Sequence, residues 1–100
     1  MMPAERQALE HLLKIASGDT GQSRRLADFL LAWWNASEYG GYDLTDGWGV
    51  DESIVDDMCV VFRLATRANS YPDTLGYARE FEALAHVWRD NVAHDREPLG

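Results

Sequence analysis

The segment Ala27–Asn35, ADFLLAWWN, decides how this chain folds. Successive residues on a helix point about 100° apart, so Trp33 and Trp34 cannot enter one narrow seam together. Leu26, Phe29, Leu30 and Trp33 make one apolar stripe at helical spacing, and Ala27, Leu31 and Trp34 make a second beside it. A face this wide predicts a helix buried on two sides and central among its neighbours. The competing use for one of these indoles, Trp34 above all, is as an anchor in a partner interface, where tryptophan is enriched.

Working outward, Ala8, Leu9, Leu12, Leu13 and Ala16 recur on one side of an amphipathic helix over Pro3–Ser17, with Pro3 suited to its first turn. Gly18 reads as a left-handed stop, and Asp19 followed by Gln22 as a capping box that opens the helix carrying the two tryptophans. That helix is expected to end at Trp34 or Ala36. Ser37–Val50, SEYGGYDLTDGWGV, holds four of the eight glycines and no sustained period, so it reads as a long ordered loop with one short turn near Leu44. Tyr39, Tyr42, Leu44 and Trp48 are expected to anchor it on the helices, the alternative being an exposed aromatic surface.

Asp51 is the expected N-cap of a third helix, with Val50 and Val55 placed as a hydrophobic staple and Glu52 favourable to the helix dipole. Ile54, Val55, Met58, Cys59, Val61, Phe62 and Ala65 give it another broad apolar face, and Asn69 and Ser70 end it. Pro72 fixes the following turn, and a last helix runs from about Leu75 or Tyr77 to Val92 with Phe81, Leu84, Ala85 and Trp88 aligned; the tail from about residue 93 is expected to fray. No segment alternates with the period of a strand. The expected fold is all-α, one domain over residues 1–100, a compact bundle of four main helices with the Gly/aromatic loop between helices 2 and 3.

Charge and cysteine usage narrow the function. Seventeen acidic and nine basic side chains give a formal charge of −8, which repels nucleic acid and anionic membranes, so direct binding to either is not expected. One cysteine, Cys59, cannot form an internal bridge, the amino terminus lacks a signal-peptide pattern, and no apolar run nears the roughly 20 residues of a membrane span. A cytoplasmic protein is expected.

Chemical signatures fail one by one. Testing DLTDGWGVDESI as a calcium loop from Asp43 puts Trp48 where the turn glycine belongs and Ile54 where the bidentate carboxylate belongs. His11, His86 and His94 lie far apart, so zinc spacing is lacking and no metal or cofactor is expected. Cys59 sits on the apolar side of its helix and reads as a small buried hydrophobe, and no serine carries a nucleophile elbow. Asp51–Glu52 and Asp56–Asp57 diverge as helix neighbours, a poor geometry for an acid/base dyad, so no enzyme is expected. GDTGQSRR offers a weak anion contact through Arg24 and Arg25 at a helix start, although Asp19 competes for the same N–H groups.

The strings GDTGQSRR, FLLAWWN, GGYDLTD, DDM and the stretch from Tyr71-Pro72-Asp73 to Phe81-Glu82-Ala83-Leu84 resemble a family of short uncharacterised bacterial proteins, a domain of unknown function associated with plasmids and integrated mobile elements. The resemblance covers Leu9 to about Trp88. It implies a bacterial, cytoplasmic accessory protein acting through contacts with another macromolecule, and it carries over no functional residue. The expectation is therefore a non-enzymatic interaction or regulatory module binding another protein or a second copy of itself as a homodimer. Tyr39, Tyr42, Trp48 and Trp34 would supply apolar anchors, and Asp43, Asp46, Asp51 and Glu52 a negative rim. Two alternatives stay open: an acidic inhibitor that mimics nucleic acid against a host complex, and a binder of small anions or ligands.

Overall fold

Phe81 explains the paired tryptophans. In the computed structural model its ring is fully buried, with Trp33 edge-on at 6.1 Å and 90° and Trp34 edge-on at 6.0 Å and 75°. The divergence of two neighbouring side chains is what lets one helix grip a single ring from two directions. The structure describes the backbone of residues 1–96 and the side chains of residues 1–89; Val92 and His94 fall outside the described side chains, and the last helix, expected to end at Val92 with a frayed tail from residue 93, instead continues to Arg96, residues 97–100 lying outside the described residues.

The described residues are helical and contain no strand: four long helices, α1 (Pro3–Ala16), α2 (Gly21–Tyr39), α3 (Glu52–Ala68) and α4 (Ala78–Arg96), with short 3-10 helices at Leu44–Gly49 and Pro72–Leu75. The radius of gyration is 13.5 Å, close to the ~13 Å of a compact domain this size. The wide face of α2 is divided between α1 and α4, which buries it on two sides. It is α1, however, that joins the elements, packing extensively on both α2 and α3. Leu9, Leu12, Ala16, Leu26, Ala27, Leu30 and Leu31 are fully enclosed along the α1–α2 contact, and Ile54, Met58, Val61 and Leu64 bury the inner stripe of α3.

Helix ends follow local chemistry, with two corrections. Thr20 caps α2, its hydroxyl accepting from the Ser23 N–H at 3.0 Å, so the expected Asp19–Gln22 box does not form. Gln22 instead accepts from the Asp51 N–H at 2.8 Å. Gly18 is not in the left-handed region; a β-carbon there would sit 2.7 Å from Ser23 Oγ, so a side chain at this position would displace the hydroxyl that meets Thr20. Near its end α2 breaks at Asn35 (φ −163°, ψ 86°), whose Oδ1 accepts from Ser37 Oγ–H and the Glu38 N–H and starts one further turn to Tyr39. The expected end at Trp34 or Ala36 is this break. Asn69 closes α3 in the left-handed conformation, φ 51°.

Polar links tie the helices where they leave the core. The Trp88 indole N–H donates to the Ala16 carbonyl at 2.8 Å and that of Trp33 to the Ser70 carbonyl at 3.1 Å. Buried Glu5 takes the Met2 N–H at 2.8 Å and an Arg67 guanidinium from α3; the Met2 N–H chiefly, with Arg67 helping and burial opposing, holds its carboxyl below the usual range. Asp28 of α2 pairs with Arg24 at 2.9 Å and with Arg89 of α4, which also donates to the Tyr39 carbonyl at 3.0 Å. The Tyr77 hydroxyl donates to Glu10 at 2.8 Å, and burial together with this carboxylate pushes its phenol up to about 12.

Candidate functional site: an apolar groove between helices 2 and 3

The segment between α2 and α3 is laid back along α2 by three side chains one helical turn or so apart. Phe29 meets Tyr42 edge-on at 5.4 Å and 79°, Arg25 covers Gly49, where a β-carbon would lie 2.6 Å from its Cζ, and Gln22 holds the Asp51 N–H. Within this strip Asp43 caps the 3-10 helix, accepting from the Thr45 N–H at 2.9 Å and from its hydroxyl at 2.8 Å, and these bonds hold its carboxyl below the usual range. The strip is therefore attached to α2. The opposite wall, α3, is carried by α1.

Between them lies an open apolar groove of two adjoining hollows of about 580 and 420 Å³. Phe29, Tyr42 and Leu44 line one side, and Val55, Cys59 and Phe62 the other. Exposure here is high for such side chains: Leu44 84%, Trp48 87% and Phe62 62%. Cys59 is exposed, which corrects its expected burial. The physical reason is that the apolar face of α3 is wider than its single extensive helix contact: Ile54, Met58 and Val61 meet the core, whereas Val55, Cys59 and Phe62, one step around the helix, face the groove. The Tyr42 hydroxyl is buried beside Gly47 with no hydrogen-bond partner among the described residues, and desolvation, then the nearby Asp46 carboxylate, pushes its phenol up.

The expected anchors separate. Tyr42 lines the groove and Trp48 projects into solvent from the same strip, with Asp46 beside Tyr42 and Glu52 exposed on the first turn of α3. Asp51 is used through its backbone: its carbonyl accepts from the Ile54 N–H at 2.9 Å. Tyr39 and Trp34 stack on each other at 5.5 Å and 28° and belong to the Phe81 cluster instead. Of the four residues expected to anchor the loop, Tyr39 and Tyr42 pack against the core and Leu44 and Trp48 do not. Arg24 and Arg25 are engaged within the chain, at Asp28 and over Gly49. Phe29, Phe62 and Arg63 are groove residues that reading the loop alone did not find; the surplus width of the α3 face was the available signal.

Among the described residues no cluster of three or more His, Cys, Asp or Glu is arranged to hold a metal ion, and no helix is long and apolar enough to cross a membrane. No curated protein and no solved structure matches the chain. A family model does, over residues 6–89, from the N-terminal turn of α1 to the arginine that clamps Asp28. The chain belongs to the family of unknown function DUF7673.

Proposed function

We propose that this protein is a non-enzymatic protein-interaction module, with a bundle-like helical scaffold that presents the α2–α3 groove and its Gly/aromatic strip as the docking surface. The observation that carries the reading is the uncovered half of α3: Val55, Cys59 and Phe62 line the groove, and Leu44 and Trp48 stand exposed on the facing strip. Clustered large apolar side chains on a surface mark interaction sites, whereas scattered single ones do not. The resemblance of GDTGQSRR, FLLAWWN and DLTD to proteins of plasmids and integrated elements supports a regulatory accessory role in a bacterial cytoplasm.

The test is affinity capture from a bacterial host, with the captured protein identified, expressed and titrated against the wild type and Phe62→Asp, Leu44→Asp and Trp48→Ala variants of unchanged helical spectrum. Loss of at least tenfold in affinity in each variant is expected. Unchanged affinity in all three removes the groove from the reading. The hollow of about 580 Å³ also falls in the size range of small-molecule sites and supports a second reading, an apolar ligand, which a thermal-shift screen addresses.

A further inference from the structure

We infer that the occupant of this surface is a second copy of the same chain, docked antiparallel across α3 about a two-fold axis that passes between Cys59 and Val60. The inference rests on reading the groove as a docking surface and adds its partner. Beside the apolar strip of Val55, Cys59 and Phe62, the outward flank of α3 carries Glu52, Asp56, Arg63 and Arg67, all exposed. Their order is acidic at the first turns and basic at the last. Glu52 and Arg67 are equidistant from the midpoint of Cys59 and Val60, and so are Asp56 and Arg63.

In an antiparallel pair related by a two-fold axis, the same flank of both helices meets itself with the sequence reversed. Asp56 of each copy then faces Arg63 of the other, and Glu52 faces Arg67. A parallel two-fold pairing sets this flank against the opposite flank of the partner, so Asp56 does not meet Arg63 there. Arg67 is already held by Glu5, so the Asp56–Arg63 pair is the one that discriminates. The same docking places Phe62 of each copy against Val55 and Cys59 of the other, covering the apolar half that α1 leaves open. Packed helix axes run about 8–10 Å apart, which brings the two Cys59 sulfurs within reach of a short bismaleimide.

The experiment uses the full chain in physiological salt at about 100 μM, where a weak protein dimer is populated. Light scattering is expected to give twice the chain mass, and the bismaleimide a dimer through the single cysteine. Asp56→Arg and Arg63→Asp are each expected to weaken association at least tenfold, while an equimolar mixture of the two re-associates and the double variant D56R/R63D recovers. All these positions are exposed, and circular dichroism checks that each variant keeps its helices. A monomeric wild type without cross-link overturns the inference, as does a dimer indifferent to both charge reversals. If the wild type is monomeric yet Phe62→Asp abolishes binding of a captured protein, only the self-pairing is overturned and the docking surface stands.

Discussion

The two phenylalanines Phe81 and Phe62 offer a matched experiment on what holds this protein together. Phe81 is fully buried between the indoles of Trp33 and Trp34, and Phe62 is 62% exposed on the groove. Truncating a buried phenylalanine to alanine costs about 3–5 kcal/mol through lost burial and the cavity left behind. Within that range each edge-on ring pair accounts for ~0.5–1.5 kcal/mol. Phe81→Ala should therefore lose ~4 kcal/mol, a large fraction of the ~5–15 kcal/mol that stabilises an ordinary domain. Phe81→Leu keeps most of the volume but loses both ring contacts and should lose ~2 kcal/mol, lowering Tm by about 10 °C.

Phe62→Ala removes the same atoms from solvent-facing surroundings and should cost under ~1 kcal/mol. Urea unfolding, followed by circular dichroism and by tryptophan fluorescence at concentrations low enough to suppress association, measures all three. Phe81→Leu should also alter the native fluorescence, because its ring touches two of the four indoles. If Phe81→Leu and Phe62→Ala prove equally costly, the clamp is not what organises the fold.

Other expectations follow from the polar links. Asp28→Asn leaves Arg89 without its carboxylate in a nearly buried site and should cost ~2–3 kcal/mol by urea unfolding, with little rescue by salt. Trp88→Phe removes the bond to the Ala16 carbonyl and should cost ~1 kcal/mol, seen as a lower urea midpoint at unchanged slope. Glu5 has a lowered folded-state pKa, so its contribution is present above the unfolded value of 4.5 and is lost as pH falls through the lower folded value; Glu5→Gln should flatten the acid limb of the stability profile. Tyr77 has a raised one, so the unfolded chain releases its proton first and stability should fall between pH 10 and about 12, a slope absent in Tyr77→Phe.

The helices were legible because their apolar residues recur at the helical period, and the ends marked by Pro3, Asn69 and Pro72 carry backbone preferences that tertiary packing did not override. The α2 cap was misplaced because Asp19, Thr20 and Gln22 are all competent capping residues, and only the competing demand of the Asp51 N–H decides among them. Cys59, expected to be buried, is exposed for a different reason. Periodicity reports that a face is apolar but not what covers it, and α3 meets a narrower partner than its face allows. The site was half visible: Tyr42 and Trp48 were found from the loop, whereas Phe29 and Phe62 come from two helices whose spacing no local pattern encodes. Asp28 sat unremarked inside ADFLLAWWN, since its significance depends on an arginine far along the chain.

The seam of Gln22, Arg25 and Phe29 acts as a ruler. It holds the returning strip at Asp51, Gly49 and Tyr42, so a residue added between those three grips has to be absorbed within the strip itself. A stretch whose glycines suggest tolerance of insertions is thus one where a single added or deleted residue between the grips should displace Leu44 from the groove wall. Sequence length there, more than sequence identity, should be what natural variants keep constant.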